Sequence, residues 1–217
     1  MSKNYKGYLG DQIGKLGTAV GRRWKRKMVY AAYQGHVKNP RSEEQQLVRS
    51  RFAVLGAMVP VFLRALRLGL HQQAEKYGYT EGDHFMRVNW GATTCEEPGE
   101  VSVDFGALKL SEGTLTGVEF KNLSFAEEST VSVAFDSNSG TFDATNADKV
   151  YLFVYQPDTN RGVLSSGAAR NAGTLSLTVP SRWSGMPVHV YGFVVGGDVT
   201  NMDLPSDTTY IGTGSIS

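Results

Sequence analysis

Apolar positions change their period twice along this 217-residue chain. Near the start, the β-favouring runs Thr18-Ala19-Val20 and Met28-Val29-Tyr30-Ala31-Ala32-Tyr33 flank the segment Gly21 to Lys27. Two such runs around a polar segment predict a β-hairpin with a basic tip, its edges open to another chain. Glycines at 7, 10, 14, 17 and 21 would cost a helix about 1 kcal/mol each relative to alanine, so turns and thin strands are expected there. Further on the spacing becomes helical. Val48, Phe52, Leu55, Val59, Phe62 and Leu66 follow at steps of four and three, and Leu63 and Leu70 widen the stripe.

Asn39-Pro40-Arg41-Ser42 opens that helix, with Ser42 and Gln45 at capping-box spacing and Glu43 and Glu44 at the positive end of the dipole. Pro60 removes one N–H and crowds the Gly56 carbonyl, which predicts a kink or two abutting helices. Their common buried face reaches about Tyr77 and stops at Gly78. Thr80 to Trp90 predicts one more short helix, with Thr80 and Asp83 as caps. Thr93 to Gly99 reads as a linker.

Beyond Gly99 the period becomes two. Glu100–Phe105, Thr114–Phe120, Thr130–Phe135, Lys149–Tyr155, Gly162–Ser166, Thr174–Val179, Val188–Val194 and Thr208–Ile211 alternate between Gly, Asn, Asp, Ser and Pro turns. That rhythm predicts an antiparallel β-sandwich. The fold class is therefore α+β in three parts: a basic Gly-rich arm with a β-hairpin over 1–38, a helical connector over 39–92, and a sandwich over 97–217 able to fold alone.

The formal net charge of +1 conceals an asymmetry. Residues 1–51 hold 12 Lys and Arg against 3 acids, leaving 10 basic and 18 acidic residues for the remainder. One cationic and one anionic end imply an anionic partner for the arm or head-to-tail contact between copies. No apolar run follows the charges of the first six residues and no stretch approaches a bilayer span, so neither a Sec signal nor a membrane location is expected. The single Cys95 excludes an intrachain disulfide. A reducing cytoplasm, where the chain is made and folded or packaged, is the expected location.

Chemistry-bearing constellations are sparse. Gly10 to Leu16 falls one residue short of a phosphate loop and puts Leu16 where a hydroxyl would hold magnesium. His36, His71, His84 and His189 lack metal-ligand spacing. Asp136-Ser137-Asn138-Ser139-Gly140 offers oxygens, but Ala147 stands where a calcium loop needs its bidentate acid. Ser165-Ser166-Gly167 is not a nucleophile elbow, and Glu96-Glu97 and Glu127-Glu128 read as solvated loop pairs. No catalytic residue, metal, cofactor or small-molecule substrate is expected. Trp183, between Pro180 and Gly185, reads as a core aromatic, with a carbohydrate platform as the alternative.

The strongest signal is Arg22, Arg23, Lys25, Arg26 and Lys27 interleaved with Trp24. Cations neutralise phosphates while an indole stacks on a base, and the same cations suit an acidic protein face. The helical stripe Val48, Phe52, Leu55, Val59, Phe62 and Leu66 is the candidate assembly interface. Gln45, Arg49, Arg64 and Arg67 fall on its solvated side.

The segments Gly14-Lys15-Leu16-Gly17-Thr18-Ala19-Val20-Gly21, Trp24 and Asn39-Pro40-Arg41-Ser42-Glu43-Glu44-Gln45-Gln46 resemble the amino-terminal signature of an uncharacterised family associated with Bacteroidota and their phages. Val150 to Tyr155, Arg170, and Pro180-Ser181-Arg182-Trp183-Ser184-Gly185 resemble its carboxy-terminal half. The resemblance implies an immunoglobulin-like sandwich and a phage or particle-assembly context, and brings no activity with it. The expectation is a non-enzymatic, homo-oligomeric structural protein whose arm, Gly7 to Tyr33, pairs between subunits. A nucleic-acid-binding protein and a surface- or carbohydrate-binding module using the sandwich loops are the alternatives.

Overall fold

The computed structural model describes residues 3–4, 12–24, 27–36, 39, 41–126, 129–199 and 201–216. Two compact units divide the chain, 1–41 and 42–217.

The first unit is a four-stranded antiparallel meander, β1 (Lys3–Asn4), β2 (Gln12–Leu16), β3 (Ala19–Trp24) and β4 (Lys27–Ala32), paired in chain order. Gly17, at φ +58°, turns β2 into β3, a left-handed conformation that glycine adopts without steric cost. Gly21 serves close approach instead: a Cβ there would sit 2.0 Å from the Gln12 carbonyl oxygen. The expected hairpin is present, with strands that run further toward the turn than the apolar runs indicate.

The second unit opens with α1 (Glu43–Gly69). The Ser42 hydroxyl accepts from the Gln45 N–H at 3.4 Å. Pro60 lies inside the helix, and the break falls at Leu70 instead, before α2 (His71–Tyr77). Gly78 ends α2 at φ 69°. α3 (Glu81–Val88) starts on a reciprocal box: Asp83 N–H donates to Thr80 Oγ1 at 3.1 Å and Thr80 N–H to Asp83 Oδ2 at 3.3 Å. The expected linker is a hairpin, β5 (Thr93–Glu97) with β6 (Glu100–Val103), turning on Gly99 at φ 96°.

Eight further strands follow: β7 (Phe120–Ala126), β8 (Thr130–Phe135), β9 (Lys149–Gln156), β10 (Arg161–Leu164), β11 (Ala168–Ala169), β12 (Thr174–Thr178), β13 (Pro187–Val195) and β14 (Thr209–Ser215). One antiparallel sheet runs β12-β8-β7, the other β10-β9-β13-β14 with β11 also on β9. This is the strand arrangement of an immunoglobulin-like sandwich. The expected strand Thr114–Phe120 is irregular up to Phe120, where β7 begins, although Leu115 and Val118 still enter the core. Asn122, at φ 51° inside a register shift between Lys121 and Ser124, breaks the alternation of β7 and hides that strand from a period-two reading.

Strands β9 and β13 are covered on both faces. Val150, Leu152, Val154, Val188, Val190 and Val194 point into the sandwich core with Val131, Val133 and Trp183. Alternate residues Phe153, Tyr155, Tyr191 and Phe193 point the other way, into a second core with Leu55, Phe62, Leu66, Leu70 and Phe85. Phe62 stands edge-on to Phe85, Phe153 and Tyr155 at centroid distances of 5.4, 5.0 and 4.8 Å. Helices, sheet and sheet therefore form three layers around two cores. The separate 39–92 connector is corrected: its helices share one compact unit, 42–217, with the expected 97–217 sandwich and supply one of the two covers that β9 and β13 need. By length and composition α1 is apolar enough to cross a membrane, and in this fold a third of its apolar 18-residue window is buried; Leu55, Phe62 and Leu66 are among the buried residues of the helix.

Candidate assembly interface

The register of β3 with β4 sets the geometry of the basic segment. Arg22 faces Val29, Arg23 faces Met28 and Trp24 faces Lys27. Residues opposite one another in an antiparallel pair share a side of the sheet, and neighbours along a strand alternate. Arg22, Trp24 and Lys27 therefore lie on one side, and Arg23 on the other with Tyr30. Lys25 and Arg26 lie outside the described residues. The expected loop of cations is, over its described part, two strand ends with charge on both sides.

Little of this sheet is covered. Leu16, Trp24, Tyr30 and Tyr33 are 49, 58, 54 and 46% exposed, and among the described residues from 12 to 41 only Gly21 is buried. Lys15 Nζ lies 3.7 Å from the centre of the Tyr33 ring, a cation–π contact at the surface. Side chains that join a large apolar ring to a nearby cation suit both acidic protein surfaces and nucleic acid.

The helical stripe divides in two. Leu55, Phe62 and Leu66 are fully buried in the chain's own core, and Val59 packs over Gly82, where a Cβ would meet it at 2.7 Å. As an intersubunit surface these four are corrected: intramolecular packing on α3 and the sheet consumes them. Val48 and Phe52, one turn apart, stay 44 and 49% exposed. Phe52 lies 4.9 Å from the ring of Trp90, and together with Met86, Asp83 and Arg87 they line an open groove of about 510 Å³. The Arg51 guanidinium stacks on Trp90 at 3.9 Å, donates to Thr93 Oγ1 at 3.0 Å and bonds the Trp90 carbonyl. Trp90 is thereby held as a rigid groove wall.

Elsewhere, polar groups tie elements together. Arg170 and Asp148 are fully buried, with Nε and Oδ2 3.0 Å apart in an ion pair whose N–H is not aimed along the contact. The remaining Arg170 nitrogens donate to Asn138 Oδ1 at 2.6 Å and the Thr116 carbonyl at 2.6 Å. Burial pushes the Asp148 carboxyl up, and hydrogen bonds from Thr145, Asn201 and Gly197 overcome this and hold it below the usual range. The polar loop around Asn138 is thus part of a lock across the loops at one end of the sandwich. Sequence reasoning missed this lock; its one visible signal is an arginine set among Ala168, Ala169 and Ala172.

The histidines likewise form separate pairs, His71 with Glu81 at 2.8 Å, His84 with Glu112 at 3.1 Å, and His189 with Tyr210 at 2.9 Å. His36 is exposed. Among the described residues no group of three His, Cys, Asp or Glu could hold a metal ion. Gln12–Leu16 is strand β2, not the loop that a phosphate cradle needs. Trp183, 1% exposed, is a core residue and offers no platform for a sugar. Arg64 and Arg67 lie at the surface beside Tyr151, Ser165 and Ser166, and Gln45 and Arg49 are exposed on the early turns of α1.

An α+β chain with a sandwich scaffold, a covering helical layer and a separate basic sheet is what the fold defines. The chain belongs to a family of unknown function, DUF6266, whose pattern matches residues 11–212. Among curated proteins nothing matches.

Proposed function

We propose that this is a non-enzymatic, self-assembling structural protein in which the sandwich unit is the scaffold and the N-terminal sheet is the element that joins copies. One observation carries this reading: a 41-residue unit leaves Leu16, Trp24, Tyr30 and Tyr33 about half exposed and buries only Gly21 among its described residues from 12 onward. Units of about 40 residues need metals, disulfides or association to be stable, and sheets need an apolar face covered. Association is the route this composition favours, since Cys95 is the chain's one cysteine and lies in the other unit.

A phage or phage-like particle of Bacteroidota, with the protein in the cytoplasm or the virion, is the context we assign to it. The resemblance of the Asn39-Pro40-Arg41-Ser42 segment to phage-associated proteins supports that context. Nucleic-acid binding is the second reading, favoured by Arg22, Trp24 and Lys27 on one side of the β3–β4 hairpin. Light scattering on the nuclease-treated protein after size exclusion tests the proposal. The expected mass is a multiple of the 23.6 kDa chain. A monomer at every concentration, or an oligomer that dissolves with nuclease, overturns it.

A further inference from the structure

We infer that the partner surface for the N-terminal sheet is on a second copy of this chain, where the early turns of α1 meet Trp90 and the β5–β6 hairpin. The inference rests on the assembly reading above and names the contact within it.

Three features converge at this end of the second unit. First, Val48, Phe52 and Trp90 form an apolar strip beside the open groove between α1 and α3. Second, β5 and β6 form a two-stranded sheet of their own, and a second open groove, also about 510 Å³, runs along it between Glu96 and Glu100. The Gly99 N–H donates to Ser50 Oγ at 3.0 Å, so the hairpin tip is fastened to α1 two residues from Phe52. Third, the charge is acidic. Glu96, Glu97 and Glu100 are exposed on the hairpin, and exposed Glu43 and Glu44 start α1 seven residues before Ser50, about 10 Å along the axis at 1.5 Å per residue. Arg49, Arg51 and the groove residue Arg87 are the cations here; Arg51 is committed to Trp90 and Thr93, and Arg87 lies over the rings of Tyr77 and Tyr79.

The occupant follows from complementarity. Residues 1–41 carry 10 Lys and Arg against the single acid Asp11, and residues 42–217 carry 12 against 20. The N-terminal sheet brings exposed aromatics beside cations; the α1–hairpin surface brings exposed apolar side chains beside carboxylates. Matching the two covers the apolar groups that each leaves in water and sets opposite charges face to face. Such pairing steers association and suppresses wrong partners. Nucleic acid would satisfy the cations of the sheet, but it would leave Val48, Phe52 and the acidic hairpin without a role.

A charge swap in the full chain tests this. One variant carries Arg22→Glu, Arg23→Glu and Lys27→Glu; the other carries Glu96→Lys, Glu97→Lys and Glu100→Lys. Each alone should fall to monomer mass at about 0.1 M salt, where the Debye length is about 10 Å. Mixed in equal amounts they should regain oligomer mass, because the reversed sheet of one then faces the reversed hairpin of the other. That recovery also shows that both variants are folded. Phe52→Ser should lower the mass in a way that mixing does not repair. The inference is overturned by a wild-type mass in any of the three variants, by a mixture that stays monomeric, or by loss of bound nucleic acid at constant mass. If the wild type is itself a monomer, the assembly reading fails too; if the wild type assembles and the variants do so unchanged, only this docking surface fails.

Discussion

Two antiparallel sheets in this chain carry tyrosines on inner strands or beside them, and they use them in opposite ways. Tyr191 on β13 is fully buried between the helices and the sheet, its hydroxyl donating to the Phe105 carbonyl at 2.8 Å. Tyr30 on β4 is 54% exposed. Among the described residues β13 is paired on both sides, by β9 and β14, and β4 on one side only, by β3; the second layer differs as well. In the C-terminal unit every apolar face of β9 and β13 meets another element, whereas the N-terminal sheet leaves its rings largely in water. Fully burying a side chain of this size is worth roughly 1.5–3 kcal/mol. The same residue types therefore hold one unit together and stand exposed on the other.

The largest test of that contrast is truncation. Residues 42–217 should be soluble and unfold in one sharp transition. Residues 97–217 should aggregate or melt broadly, because removing the helices exposes Phe153, Tyr155, Tyr191 and Phe193 together. A sharp thermal transition for 97–217 would show that the helical layer is dispensable.

Single substitutions sharpen the comparison. Phe62→Ala and Trp183→Ala should each lower the stability of the C-terminal unit by about 3–5 kcal/mol in urea unfolding, through lost burial and a residual cavity. Trp24→Ala should change that unfolding by no more than about 0.5 kcal/mol, as an exposed side chain does, while weakening assembly. Equal effects from Trp24 and Trp183 would erase the distinction between the units.

Breaking the lock at the end of the sandwich should come next. Asp148→Ala leaves the Arg170 guanidinium buried without its counter-charge, a change that typically costs about 3–5 kcal/mol; the neighbouring carbonyl and Asn138 contacts of Arg170 place the expectation at the lower end. Denaturant midpoints of Asp148→Ala and Arg170→Met, alone and combined, check it. The double variant should be no worse than Asp148→Ala alone, and an additive loss would mean the two groups act independently.

The smallest effect is on pH dependence. Burial holds His189 below its usual value, so the unfolded chain binds the extra proton between that lowered value and 6.5. The corresponding stability is present above pH 6.5 and is lost as pH falls toward the folded value. His71 has the opposite sign. Its hydrogen bond to Glu81 raises it, giving stability that is full below 6.5 and lost as pH rises through the folded value. Because His71 is exposed, solvent screens that contribution. The melting temperature of 42–217 should therefore decline on the acid side of neutrality, and His189→Gln should flatten the decline. A decline unchanged in that variant would assign it to other groups.

Local signals were legible in the chain itself. The Ser42 cap, the stop at Gly78, the Thr80–Asp83 box and the β3–β4 hairpin each depend on residues within a few positions of one another, so propensity and hydrogen-bond geometry determine them without reference to the rest of the molecule. Alternation likewise determined a sandwich of short strands, except where Asn122 interrupts the period in β7, where the stretch from Thr114 to β7 is irregular, and where Glu100–Val103 pairs with β5 outside the two sandwich sheets. The assignment of partners was decided only in three dimensions. A stripe such as Val48 to Leu66 states that a face must be covered, not by what; packing gave Leu55, Phe62 and Leu66 to β9 and β13 and left Val48 and Phe52 outside. The near-continuous apolar runs of Val150–Tyr155 and Val188–Val195 carried the hint of two covers, since strands buried on both faces lose their polar alternation. The Asp148–Arg170 pair, 22 positions apart, carried none, because an ion pair across loops depends on where the folded chain brings them rather than on any spacing along it.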